Sequence, residues 1–291
     1  MARAVKIGHR TIGDGFPTYI TAEIGINHNG DLNIAKKMIR EAFLNGVDSV
    51  KLQKRTPEIC VPRDQWEIMR ETPWGYINYI EYRRKMEFGQ AEYAEIDRYS
   101  KELGIDWFAS VWDEPSVDFM EQFDTVAYKV PSAALTDHSL LKKIRTTGRP
   151  IILSTGMSTL EQIKDAVNVI GTQDLILTHA TSTYPCEPGE LNLRVILTLR
   201  EMFPDVAIGY SGHEVGLIPS VVAVSMGACL VERHITLDRA MWGSDQAASV
   251  EPTGFERLVK YIRVTEQSLG DGVKQVYTSE LSSLKKLRRF Q

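Results

Sequence analysis

Cysteine is scarce: Cys60, Cys186 and Cys229 are the only three in 291 residues. None stands at the short spacing of a metal knuckle or a redox pair, which excludes a disulfide scaffold and points to reduced thiols in a reducing compartment. An excess of either charge is also lacking. The 34 Lys and Arg against 38 Asp and Glu leave a formal net charge of −4, so there is no electrostatic footprint for nucleic acid or an anionic membrane. No apolar run approaches membrane-spanning length, and the opening MARAVKIGHR has no signal-peptide core. The cytoplasm is the expected location. A GxGxxG fingerprint after the first strand is missing too, which speaks against dinucleotide binding.

What is present is a soluble, globular composition, 43% apolar and 25% charged. The length suits one large α/β domain or two small ones. Residues 5–17, VKIGHRTIGDGFP, suggest a β-hairpin turning near Gly13–Gly15. From there an apolar strand followed by an amphipathic helix recurs. Strands are expected at Thr18–Ile24, Ser49–Gln53, Asp106–Val111, Thr125–Val130, Ile151–Thr155, Leu175–Ala180, Ala207–Ser211 and Cys229–Ile235. The helix after the first strand has Asp31 as N-cap, apolar residues at helical spacing from Leu32 to Phe43, and Gly46 as its stop. Further helices fit near 90–104, 115–122, 137–148, 159–170, 191–203, 215–227 and 253–269. Eight alternating units predict a single (β/α)₈ barrel over 1–291, with an open doubly wound sheet as the other possibility. The connection 56–88 is unusually long and rich in Trp66, Trp74, Tyr76, Tyr79 and Tyr82, as a functional lid would be. The segment 278–291 reads as a basic tail.

In a barrel the site is built at the carboxyl ends of the strands. Those positions are far more polar than the strands: Glu23, Asn27 and His28; Lys51 and Gln53; Ser110 and Asp113; Lys129 and Ser132; Ser154 and Thr155; His179, Thr181 and Tyr184; Ser211 and His213; Glu232, His234 and Asp245. His213 and His234 leave successive strands at the same end, where two imidazoles can hold a divalent metal with positions left open. A lysine inside an apolar strand must be paired or meet an anion. Lys51 and Lys129 therefore form internal salt bridges with Glu23 or Glu232, or else, with the serines, receive a phosphate or carboxylate group.

The segments AEIGINHNGDLNIAKKMI, VKLQ, YKVPS, ILSTGM, HATSTYP, GYSGHE, ERHITLD and GSDQAASVEP, in this order, resemble the sialic acid synthase family from about Tyr19 to about Leu269. The resemblance implies a barrel enzyme that condenses phosphoenolpyruvate with an aldose to give a nonulosonic, sialic-acid-like acid. It implies that Lys51, Ser110, Lys129, Ser132, Ser154 and Ser211 bind phosphoenolpyruvate, and that His213 and His234 hold Mn²⁺ or Mg²⁺. Gln53, Tyr184 and Asp245 would face the sugar. Glu23, Glu232 and Asp245 are the available bases, with Lys51 and Lys129 beside them, and sequence does not rank the three. A homodimer is implied as well.

Two departures fall on the acceptor side. Where the family has a Glu after Ser-Gly, this chain has Ala134 in Lys129-Val-Pro-Ser132-Ala133-Ala134. The small antifreeze-like domain that follows many members is not expected after Gln291. Both weaken the case for N-acetylmannosamine as acceptor. They keep open a related synthase acting on a shorter or non-acetylated aldose, and least of all a catalytically silent barrel.

Overall fold

The computed structural model describes residues 3–290. Among these residues are twelve strands: β1 (Ala4–Ile7), β2 (Arg10–Gly13), β3 (Tyr19–Gly25), β4 (Ser49–Lys54), β5 (Met69–Thr72), β6 (Gly75–Asn78), β7 (Asp106–Val111), β8 (Tyr128–Val130), β9 (Ile151–Ser154), β10 (Leu175–Ala180), β11 (Ala207–Gly212) and β12 (Leu230–His234). Strands β3, β4 and β7 to β12 pair in parallel, and β10 also joins β9, closing an eight-stranded barrel. That closure excludes the open sheet. Seven of the eight sit within two residues of their expected bounds; Thr125, Val126 and Ala127 stay outside the ladder, so β8 has only three residues.

Side chains along each barrel strand alternate between the barrel interior and the helical coat. The interior is layered. Its lower layer is apolar: Tyr19, Phe108, Ala127, Ile152, Ile176, Ala207 and Leu230 pack with Val5, Ile7 and Ile12 of the N-terminal hairpin. The hairpin therefore plugs the amino-terminal end of the barrel. Its turn falls at Gly8–His9 rather than at Gly13–Gly15. Gly8 sits at φ +55°, where an added Cβ would come within 2.7 Å of the Asp106 carboxylate, so only glycine turns the chain so tightly against β7. Two residues further up, most strands turn polar inside: Thr21, Ser110, Lys129, Ser154, Thr178 and Glu232.

The outward set, with Ile20, Ala22, Val50, Leu52, Ile151, Leu153 and Val231, meets the helices in the main core. The helix Leu32–Leu44 begins as expected, with Asp31 accepting from the Asn33 and Ile34 amides. Arg233 is an outward residue that is not apolar. Arg233 is fully buried between barrel and coat, where it donates to Glu214 Oε1 (2.9 Å), the Gly216 carbonyl (2.8 Å) and Ser220 Oγ (3.0 Å). Tyr210 OH donates to the other Glu214 oxygen at 2.8 Å. This buried pair ties the end of β12 to the residues following β11.

The segment 56–88 is not a bare loop. It contains the short helix Pro57–Cys60, the β5–β6 hairpin and the helix Tyr79–Met86. Tyr82 packs edge-on against Trp242 (5.5 Å between centroids) and Phe88 stacks on His28 (4.1 Å), so the segment lies at the carboxyl-terminal rim. The basic tail includes a helix at Leu281–Leu287 with no buried residue; Gln291 lies outside the described residues.

Replacing Arg233 with Met should leave the Glu214 carboxylate buried without its counter-charge. The expected cost is about 3–5 kcal/mol, read as a lowered urea midpoint. An unchanged midpoint would mean that the pair contributes nothing.

Candidate active site

The polar layer opens at the carboxyl ends of the strands into a cavity of about 240 Å³. Its walls hold Glu23, Lys51, Gln53, Ser110, Lys129, Ser132, Ser154, Tyr184, Ser211, His213, Glu232 and His234 together. Of the residues to which the resemblance assigns a role, Asp245 alone is not on this wall. It stands behind His234, with its Oδ2 3.7 Å from the imidazole Nδ1.

Glu232 is the centre of the floor. Its Oε1 lies 3.1 Å from Lys51 Nζ and accepts from Ser211 Oγ at 3.1 Å; its Oε2 accepts from Lys129 Nζ at 3.1 Å. Lys51 also donates to Ser110 Oγ (2.8 Å) and Lys129 to Thr178 Oγ1 (3.2 Å). The internal salt-bridge expectation for both lysines is thus met, and one carboxylate serves both. Burial opposes ionisation of Glu232, but Lys129 and Lys51 outweigh it and hold the carboxyl well below its usual range. Burial draws Lys129 down to about 8, assisted by Lys51 and resisted by Glu232. Lys51 suffers the same burial, but Glu23 and Glu232 together raise it.

Glu23 behaves differently. Gln53 Nε2 donates to its Oε1 at 2.9 Å, while Oε2, 3.4 Å from Lys51, has no hydrogen-bond partner among the described residues. Burial pushes this carboxyl up to about 7 against the pull of Lys51, with Glu232 adding to the rise. The two carboxyls on one floor are thereby separated, one fixed as an anion and one able to exchange a proton near neutrality.

On the opposite wall Ser132 and Ser154 share a hydrogen bond of 2.9 Å, and the Gly156 amide donates to Ser132 Oγ at 3.1 Å. A Cβ at Gly156 would lie 2.3 Å from Ser182 Oγ and 2.8 Å from Ser132 Oγ. Glycine here lets the hydroxyls and the backbone amide converge.

Above the floor, His213 and His234 stand edge to face with centroids 5.5 Å apart, and Tyr184 packs on both. His213 Nδ1 donates to the Thr181 carbonyl at 2.7 Å, leaving Nε2 as the acceptor that faces Tyr184 OH at 3.0 Å. His234 Nδ1 is buried without a hydrogen-bond partner among the described residues. Burial draws His213 down to about 4, with His234 contributing, and His234 down to about 3, with Lys51 contributing. Both rings are neutral at pH 7 and carry lone pairs, the state a metal ligand needs. The pair fits a divalent ion. No cluster of three His, Cys, Asp or Glu surrounds it among the described residues, so further donors would be water or substrate.

Residues 38–274 match the NeuB family. The chain belongs to that family. It is 39% identical over 282 residues to N-acetylneuraminate-9-phosphate synthase of Homo sapiens, covering 96% of this chain and 78% of that protein. It is 35% identical over 279 residues to N,N'-diacetyllegionaminic acid synthase of Campylobacter jejuni, covering 94% and 83%. Among solved structures, the N-acetylneuraminic acid synthetase of Leptospira borgpetersenii, in complex with citrate, superposes with a TM-score of 0.88 at 29% identity, over 100% of this chain and 99% of that one. Its named relatives are synthases, and this NeuB-family chain is an enzyme. No helix among its described residues is long and apolar enough to cross a membrane.

Several strand-end groups prove structural. Asp113 caps the helix Glu114–Met120 and binds the Thr56 amide. Asn27 Nδ2 donates to the Ile235 carbonyl and to Ser249 Oγ. His28 accepts from the Gly30 amide, and His179 bonds the Leu191 carbonyl. Sequence reasoning missed Trp112, Met157 and Ser182 on the cavity wall, and Thr178 beneath it. Ser182 lies in the quoted motif HATSTYP and could have been found there. The walls include no residue of 56–88, because the aromatic side chains of that insertion stack on one another and on the rim.

The raised Glu23 has a thermodynamic signature. The native state keeps a proton that the unfolded carboxyl has lost, so this group's contribution to stability falls as pH rises from about 4.5 to about 7. Urea midpoints across that window should fall less steeply for Glu23→Gln than for the wild type. Parallel slopes would show that Glu23 titrates normally.

Proposed function

We propose that this barrel condenses phosphoenolpyruvate with an aldose, releasing phosphate and a sialic-acid-like ulosonic acid. The observation that carries the reading is the pair of buried ammonium groups, Lys51 and Lys129, sharing Glu232 beneath a ring of seryl hydroxyls. Two cations against one ionised carboxylate leave a net positive charge on the floor whenever Glu23 is protonated. That site suits a small dianion. The synthase names of the family relatives support the same substrate class.

In this reading Lys51, Lys129, Ser110 and Ser211 bind the carboxylate and phosphate of phosphoenolpyruvate at the floor, with Ser132, Ser154 and the Gly156 amide on the other wall. C3 of the enol bonds to the aldehyde carbon, water adds to C2, and the C2–O bond to phosphate breaks. Glu23 takes a proton from the water that adds to C2 and passes it to the aldehyde oxygen as that becomes a hydroxyl, since its carboxyl is poised near 7. Glu232 stays an anion and positions the two lysines. His213 and His234 would hold a divalent ion, Mn²⁺ or Mg²⁺, which when bound polarises the aldehyde oxygen as a Lewis acid. Asp245 orients His234, and Tyr184 and Gln53 face the sugar. Ala134, buried where relatives carry a carboxylate, keeps a second reading in play: the same chemistry on a shorter or non-acetylated aldose.

Phosphate release from phosphoenolpyruvate, assayed with a panel of aldoses including N-acetylmannosamine, tests the function. At least one aldose should support turnover, chelation should abolish it and Mn²⁺ restore it. Turnover by a His213→Ala, His234→Ala double variant in chelator would remove the metal from the reading. Lys129→Met and Lys51→Met should each lower kcat/KM for phosphoenolpyruvate about 10²-fold. Unchanged values would make the lysines purely structural.

A further inference from the structure

The ladder between β11 and β12 stops just short of the two imidazoles. These strands pair Tyr210 with Val231, Ser211 with Glu232 and Gly212 with Arg233, and the register ends there. His213 and His234 are the next residues on each chain. Their own main-chain bonds lead away from each other. The Cys186 amide, beyond β10, donates to the His213 carbonyl at 3.0 Å, and the Val250 amide, beyond β12, to the His234 carbonyl at 2.8 Å.

Past the end of the ladder the two chains are joined through a side chain. Arg233 turns to the outer face of the barrel as His234 turns inward, and its guanidinium reaches the residue that follows His213. Besides the Glu214 carboxylate it donates to the Glu214 carbonyl and to the Gly216 carbonyl. It therefore grips the main chain leaving β11 as well as one side chain. The Glu214 carboxylate is itself held from two directions, by Tyr210 OH of β11 at 2.8 Å and by Ser220 Oγ of the helix Ile218–Ser225 at 3.4 Å. Gly212 makes room for the meeting. A Cβ there would lie 2.5 Å from Glu214 Oε2 and 3.0 Å from Arg233 Cδ.

Two imidazoles that share one ion tolerate little change in their separation, because metal–nitrogen bonds are short, about 2 Å. With only two protein donors, no third side chain corrects an error in spacing. Neither Arg233 nor Glu214 lines the cavity, so any influence on the ion passes through the histidines.

We propose that Arg233 and Glu214 are positioning residues: joined behind the strands, they fix the separation of His213 and His234 and so set the affinity of the barrel for its divalent ion. The proposal rests on the metal part of the condensation reading and adds to it a part of the molecule that touches neither ion nor substrate.

Binding of Mn²⁺ to the metal-free protein, followed by the paramagnetic resonance signal of the free ion, tests this without turnover. Wild type, Glu214→Gln, Arg233→Lys and Gly212→Ala are compared where circular dichroism shows each to be folded. Arg263→Gln is the control. Arg263 pairs with the buried Asp48 at 3.3 Å, at the amino-terminal end of β4, so its loss should lower stability without reaching the histidines. The first three variants should bind Mn²⁺ about tenfold to a hundredfold more weakly than wild type, and the control should bind it equally well. Gly212→Ala keeps both charges, and it carries the test should the charge variants fail to fold. Wild-type affinity in the folded variants overturns the proposal. Equal weakening in Arg263→Gln does so too, since a general loosening would then explain the effect. The His213→Ala, His234→Ala variant separates the proposal from the reading beneath it. If that variant binds Mn²⁺ as wild type does, or if wild type binds none, these rings do not hold the ion and both fall. If it loses the ion while the positioning variants keep full affinity, the metal reading stands and the proposal alone is removed.

Discussion

One carboxylate governs this molecule. Glu232 sits where two ammonium groups enter the barrel interior, and without it Lys51 and Lys129 would repel each other in a space sealed from water. Such a group contributes little net stability, since desolvating three charges offsets most of their attraction. What it provides is order. It fixes both lysines at the base of the cavity, so that an arriving anion meets a preformed cradle and little reorganisation is needed.

The same floor explains why Glu23 differs from its neighbour. Both carboxyls are buried on adjacent strands, paired residue by residue as His234 with Glu23 and Glu232 with Thr21. Glu232 takes a hydrogen bond from Lys129 and pairs with Lys51 at 3.1 Å, whereas Glu23 gets one amide and an ammonium at 3.4 Å. Environment alone assigns one to permanent charge and the other to proton exchange. Sequence offered three equal candidates and no means of ordering them.

The barrel was legible because each strand is apolar on its outward face and its flanking helices are well patterned. The lysines were legible for the complementary reason: charge inside an apolar strand demands an explanation. Arg233 was not, because a charge at a strand end looks like an exit to solvent, and only the packed coat makes it a buried staple to Glu214. The hairpin turn was misplaced because Gly13–Gly15 carries the stronger glycine signal, while the close approach to Asp106 that requires Gly8 is a long-range fact.

The N-terminal hairpin, a minor element by length, has a consequence for traffic. By packing Val5, Ile7 and Ile12 under the apolar lower layer, it completes the closed end of a well with a single mouth. Molecules in a well queue. Whatever is seated against Lys129 must arrive before anything resting above it and cannot depart until the upper occupant has left. The order of arrival and departure is then imposed by a plug on the side of the barrel remote from any reacting atom.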